Sequence, residues 1–153
     1  MNYLLDTSAI VHYLKFGTVY NRIIQDFAPF RNGNRAFISV VTLGELKSLS
    51  LRNNWDGNKK NQLDVVLSMC ISVPISSEII DLYSEIDAFS QGENKTLKLD
   101  VPVRSMGKND IWIAATASAK SAKLITIDKD FSHLADEFLD LVLLSVKGKY
   151  LYP

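Results

Sequence analysis

Three times along this chain, a short apolar run stops at polar residues of the kind that open helices. Residues 3–5 end at Asp6-Thr7-Ser8, residues 36–41 run straight into Thr42-Leu43-Gly44-Glu45, and residues 123–127 end at Asp128. The runs are strand-sized and rich in leucine, isoleucine and valine. Behind the first, Ala9, Ile10, Tyr13 and Leu14 recur at helical spacing; behind the second, Leu46 and Leu49 do the same. Further strands are expected at 71–74 and 141–144, and further helices at 19–27 (stopped by Pro29), 62–69, 77–89 and 110–120. Strands that alternate with helices in this way pair side by side in one direction, because each helix carries the chain back across the sheet. The fold class expected is therefore α/β: a three-layer α/β/α sandwich around a mostly parallel central sheet. Residues 91–104 carry mixed charge without a period, and a loop of that length is expected to serve function.

The chain has 153 residues, 47% hydrophobic and 22% charged, enough for one globular domain spanning residues 1–153 with a real core. Lysine plus arginine and aspartate plus glutamate both total 17, so any surface that binds phosphates must be local. The single cysteine, Cys70, rules out an internal disulfide and reads as a small buried hydrophobe. No basic segment precedes an apolar one at the N-terminus, and no stretch approaches the ~18 consecutive apolar residues of a membrane span. A cytoplasmic protein without a membrane partner is expected.

Four acids, Asp6, Glu45, Asp110 and Asp128, stand where helices begin. Each has a purely structural explanation. Asp6 and Asp128 can cap helices, Thr42 and Glu45 have capping-box spacing, and Asp110 in a first turn gains about 0.3–1 kcal/mol from the helix dipole. Jointly they admit another reading. In open parallel sheets the carboxyl ends of the strands and the helix starts that follow share one edge, where ligands bind. Four carboxylates converging there with pairs ~5 Å apart would repel by about 3 kcal/mol per pair at an effective dielectric of ~20. Either some are protonated or a divalent cation neutralises them. All-oxygen ligands favour Mg2+ or Mn2+ over zinc.

These segments resemble a known family. Leu4-Leu5-Asp6-Thr7-Ser8, Thr42-Leu43-Gly44-Glu45-Leu46, Met106-Gly107-Lys108-Asn109-Asp110-Ile111-Trp112-Ile113-Ala114-Ala115 and Leu124-Ile125-Thr126-Ile127-Asp128-Lys129-Asp130-Phe131 are similar, in order, to the motifs of PIN-domain nucleases, and most of all to VapC-type toxins of bacterial toxin–antitoxin modules. The resemblance covers nearly the whole chain. It implies a metal-dependent endoribonuclease that is usually a homodimer, with RNA as substrate and a cognate antitoxin whose tail enters the acidic site. It also implies Asp6, Glu45, Asp110 and Asp128 as the catalytic and metal-binding residues, with Mg2+ or Mn2+, and products bearing a 5′ phosphate and a 3′ hydroxyl. The stretch 91–101 is longer than in compact members of the family.

With no serine, cysteine or histidine nucleophile beside the acids, water is the expected nucleophile. Asp6 and Asp110 are the preferred direct ligands. Thr7, Ser8, Asn109 and Thr126 are polar neighbours suited to orienting a ligand or a phosphate, and Asp130 is a supporting acid. Arg104, Lys108 and Lys129 flank the acidic junctions and are candidates for holding the RNA backbone. An aspartyl-phosphate phosphatase would need a second aspartate where Ser8 stands. The alternatives within reach are a non-catalytic α/β module that binds RNA or protein, its acids serving as caps, and a nuclease of the same fold acting in RNA processing or on DNA.

Overall fold

The structure, a computed structural model, describes residues 1–98, 102–103 and 106–152. The chain runs β1 (Asn2–Leu5), α1 (Thr7–Tyr13), α2 (Thr18–Arg22, continued by a π-helical turn Ile23–Phe27), β2 (Arg35–Ser39), α3 (Val40–Arg52), α4 (Gly57–Ser68), β3 (Ile71–Val73), α5 (Ser77–Ser90), α6 (Lys108–Ala119) and β4 (Lys123–Thr126). A 3-10 turn (Lys129–Leu134), β5 (Leu141–Leu144) and β6 (Tyr150–Tyr152) follow. The strands lie in the order β3-β2-β1-β4-β5-β6, parallel throughout except for β6.

β1 sits in the middle, with Leu4 level with Phe37 of β2 and Leu124 of β4. Successive side chains of a strand point to opposite faces, which explains two separate cores. Leu4, Phe37 and Leu124 join Ile79, Ile86 and Phe89 of α5 and Ile111 and Ala114 of α6 on one face. Tyr3, Leu5, Ile38 and Ile125 join Ile10, Ile23, Leu46 and Leu63 from α1, α2, α3 and α4 on the other. The sheet is covered on both sides, the expected three-layer sandwich. Among the described residues no helix is long and apolar enough to cross a membrane.

Several boundaries differ from expectation, each for a local reason. α3 starts at Val40 because Ser39 takes the capping position and accepts from Val41 N. Thr42 then lies inside the first turn, so the Thr42–Glu45 capping box does not form and Glu45 is released for other partners. α4 begins at Gly57 instead of 62, because Asp56 Oδ1 accepts from Lys59 N at 2.8 Å. The π-helical turn ends where Ala28 adopts a left-handed φ of 44°. β6 was not expected from the sequence: three largely exposed residues carry too little pattern. It pairs with β5 through a turn in which Gly148 adopts φ +70°.

Candidate active site

The carboxyl edge of the sheet opens into a cleft of ≈ 780 Å³ lined by Asp6, Thr7, Ser8, Glu45, Asn109, Asp110 and Asp128, among others. Two of the four acids arrive directly from strands. Asp6 follows the last residue of β1, where its Oδ1 caps α1 by accepting from Ala9 N at 2.7 Å. Asp128 lies two residues past β4 and caps the 3-10 turn by accepting from Asp130 N at 2.9 Å. Glu45 stands in the second turn of α3, which begins where β2 ends. Asp110 follows no strand. Its helix, α6, packs against α5 in the opposite direction, with Trp112 stacked on Tyr83 at 4.1 Å and Lys108 paired with Asp87 at 3.2 Å, and this packing sets the α6 start at the cleft.

Capping a helix and lining the cleft are compatible in these acids. Asp6 and Asp128 cap helices and line the cleft as well. Asp6 is 3% exposed and is ringed by donors: Ser8 Oγ at 2.8 Å and Thr126 Oγ1 at 2.8 Å both reach its Oδ2. Thr126, fully buried under the cleft, also accepts from Asp128 N at 2.9 Å, so one hydroxyl ties two of the acids together. Ser8 Oγ likewise accepts from Ile127 N at 3.2 Å. Glu45 is held from both sides, by the Thr7 hydroxyl on Oε2 and by Asn109 Nδ2 on Oε1 at 2.7 Å.

Asp110 differs. Its carboxylate is half-buried and accepts no hydrogen bond from any described residue. Gly107, at the N-cap of α6, makes its placement possible: a Cβ on Gly107 would stand 2.7 Å from Asp110 Oδ2.

Burial raises the Asp6 pKa from 3.8 to about 6, outweighing the hydrogen bonds from Ala9, Thr126 and Ser8 that act to lower it; the Asp128 charge adds to the rise. Asp110 is raised from 3.8 to about 6, first by burial, then by the charges of Asp128, Glu45, Asp6 and Asp130. The carboxylates thus sense one another across the cleft, and taking them out of water disfavours their ionised forms.

Among the described residues no three acid, histidine or cysteine side chains already stand in a ligating group. The donor set nevertheless fits a hard divalent cation. Its members are oxygens, and Asp110 is a half-buried acid to which no described residue donates, the kind of group that pairing or a metal ion stabilises. His12, which also lines the cleft, has both ring nitrogens engaged, by the Ser8 carbonyl and by Lys15 Nζ.

The supporting candidates divide. Thr7, Ser8 and Asn109 line the cleft, while Thr126 lies beneath it. Asp130 is exposed and outside the lining, and acts on the site through its charge and its backbone N–H. Lys108 is paired with Asp87, and Lys129 is exposed; neither lines the cleft. Arg104 lies outside the described residues. Gly44, Ser48, Arg52 and His12 line the cleft and were not expected there. The signal for three of them was present: Gly44, Ser48 and Arg52 recur at intervals of four, and Glu45 shares their face of the helix.

Comparison with known proteins bears on the family and the fold. Residues 3–137 match the PIN domain family model. Ribonuclease VapC4 of Mycobacterium tuberculosis is 32% identical over 99 residues, covering 65% of this chain and 71% of that protein. The fold superposes on a chain of VapBC2 from Rickettsia felis, solved bound to a DNA fragment from its promoter, with TM-score 0.70, 25% identity, and coverage of 92% of this chain and 97% of that one. A chain of VapBC-1 from nontypeable Haemophilus influenzae gives TM-score 0.70 at 22% identity, covering 94% and 98%.

Proposed function

This chain belongs to the PIN domain family, and from that premise we propose that it is a metal-dependent endoribonuclease acting as the toxin of a toxin–antitoxin module. The observation that carries the proposal is the convergence of Asp6, Glu45, Asp110 and Asp128 on one cleft, with Asp110 accepting no hydrogen bond from any described residue. A set of helix caps has no use for that convergence. The ribonuclease name of the Mycobacterium tuberculosis relative supports RNA as the substrate.

Asp6 and Asp110 would hold the cation directly, with Glu45 and Asp128 completing the set. When bound, Mg2+ or Mn2+ supplies charge neutralisation and activation of water toward the phosphodiester. The remaining work falls to the chain. Ser8, Thr126 and the Ala9 N–H fix the plane of the Asp6 carboxylate, so its orientation is set before any ligand arrives. Thr7 and Asn109 clamp Glu45, turning it toward the cleft from the middle of its helix. Gly107 leaves room for the Asp110 carboxylate, and Asp128 is anchored by the Asp130 N–H. Asp130 itself acts as a supporting charge. Lys108 and Lys129, which stand outside the cleft, are proposed to contact the RNA backbone, and so is Arg104. A cognate antitoxin that enters the acidic site, a homodimer and a cytoplasmic location complete the proposal.

The test is Asp6→Asn and Asp110→Asn, assayed for manganese-dependent cleavage of single-stranded RNA and for growth arrest on induction, with branched DNA as a second substrate. The proposal requires loss of both activities in both variants and little cleavage of DNA by the parent. Variants that cut RNA and arrest growth as well as the parent would refute it.

A further inference from the structure

The carboxylates occupy only part of the cleft. Away from them it continues between α1 and α3, lined by Val11, His12, Gly44, Ser48, Leu49 and Arg52. Arg52 stands seven residues beyond Glu45 on α3, about 10 Å along the helix axis.

Gly44 lies inside α3 and is exposed, a place where glycine weakens a helix relative to alanine. Neither packing nor backbone geometry demands it: an added Cβ would meet nothing within 4 Å, and its φ is not positive. A bare backbone facing open space is useful to a ligand that must come close to it.

Arg52 is exposed, lines the cleft, and makes no hydrogen bond or ion pair with any described residue. Arg22, Lys108 and Lys123, by contrast, are committed to Asp26, Asp87 and Asp140.

On the α1 side His12 Nδ1 lies 3.1 Å from the Ser8 carbonyl and Nε2 lies 3.3 Å from Lys15 Nζ. A carbonyl can only accept, so the proton sits on Nδ1 and the Nε2 lone pair receives the lysine. Lys15, exposed and not itself a lining residue, is thereby tethered to a side chain of this wall. Val11 and Leu49 make the walls partly apolar.

We infer that this arm of the cleft is the track of a single RNA strand: its backbone passes over Gly44, and Arg52 with the His12-tethered Lys15 binds phosphates flanking the one that is cut. The inference rests on the nuclease reading above and assigns to it a substrate path. A phosphodiester approaching four carboxylates is repelled, and cations placed farther along the strand offset that repulsion without competing for the metal site. The whole cleft, ≈ 780 Å³, has the volume of a small-ligand site, room for a nucleotide or two of a single strand.

The test compares Arg52→Ala, Gly44→Leu and Lys47→Ala with the parent in cleavage of a fluorescent single-stranded RNA with manganese, over a range of KCl. Lys47 is an exposed cation on the same helix that lines a separate hollow with Ser50 and Leu51, so it controls for loss of charge alone. Arg52→Ala should lower kcat/KM at least fivefold, mainly through KM, and reduce the salt slope by about 0.7, the value for one phosphate contact on a single strand. Gly44→Leu should lower kcat/KM as far or further with the parental salt slope, because it blocks the path and discharges nothing. Arg52→Lys should recover part of the loss. Thermal melts of each variant establish that it is folded. If the parent cuts RNA while Arg52→Ala and Gly44→Leu match it, or Lys47→Ala loses as much as Arg52→Ala, the track is wrong and the nuclease reading stands. If the parent itself fails to cut RNA with manganese, both are overturned.

Discussion

Replacing Asp110 with asparagine should make the metal-free protein more stable while ending its chemistry. The Asp110 carboxyl is raised from 3.8 to about 6 by burial and by the charges of Asp128, Glu45, Asp6 and Asp130. A folded-state pKa above the unfolded one means that the native protein binds the proton more tightly than the unfolded chain. Stability is then lost as pH rises from about 4 to about 6, and stays lost above it. Two pH units correspond to about 3 kcal/mol at 1.36 kcal/mol per unit. Because Asp110 is only half-buried, solvent screening reduces this to about 1–2 kcal/mol. Asparagine keeps the shape and removes the charge, so in EDTA at pH 7.5 the variant should melt about 3–6 °C above the parent. Melts at pH 4, 5, 6 and 7.5 check both size and sign: the gap should be near zero at pH 4 and full by pH 7.5. Saturating manganese should close or reverse it, because the cation stabilises only the parent by mass action. A variant no more stable than the parent at pH 7.5, or a gap independent of pH, would refute the reasoning.

The pH–rate profile of RNA cleavage should fall on the acid side with a midpoint near 6, where Asp6 and Asp110 take up protons; raising manganese should move that midpoint to lower pH, because metal and proton compete for the same oxygens. Thr126→Val removes the donor to Asp6 and the acceptor of the Asp128 N–H, both in the buried layer under the cleft. It should cost about 1–3 kcal/mol by urea unfolding and shift the acid limb to higher pH. Gly107→Ala should displace the Asp110 carboxylate, whose Oδ2 would stand 2.7 Å from the new Cβ. Its Tm should fall by a few degrees at most, because alanine is a poorer N-cap than glycine by about 1 kcal/mol, while kcat falls at least tenfold.

The layered fold was legible because its signals are local. Short apolar runs, helical spacing and helix-opening polar residues mark β1, β2, β4 and the helices behind them. Asp6 and Asp128 were legible for the same reason, since Asp6 directly follows β1 and Asp128 lies two residues past β4. The way the acids are held was not legible. That Thr7 and Asn109 would clamp Glu45 depends on contacts between residues 38 and 64 positions apart. Thr42 looked like a cap because Ser39, the residue that caps α3, lies within what reads as the preceding strand. Gly107 reads as an ordinary helix-start glycine until the return of Asp110 over it is seen in three dimensions. Arg52 was the most readable of the residues passed over: helical intervals put it on the Glu45 face, but only the packing of α1 beside α3 makes that face a wall of the cleft. β6 carries no periodic signal and owes its place to pairing with β5.

The central claim is that Asp6, Glu45, Asp110 and Asp128 form a site for a divalent cation, and manganese titration of the metal-free chain, followed by melting temperature, tests it most directly. The parent should gain stability in proportion to the logarithm of manganese concentration above its dissociation constant, while Asp6→Asn and Asp110→Asn should gain little or none over the same range. A parent indifferent to millimolar manganese, or variants that gain as much as the parent, would contradict it.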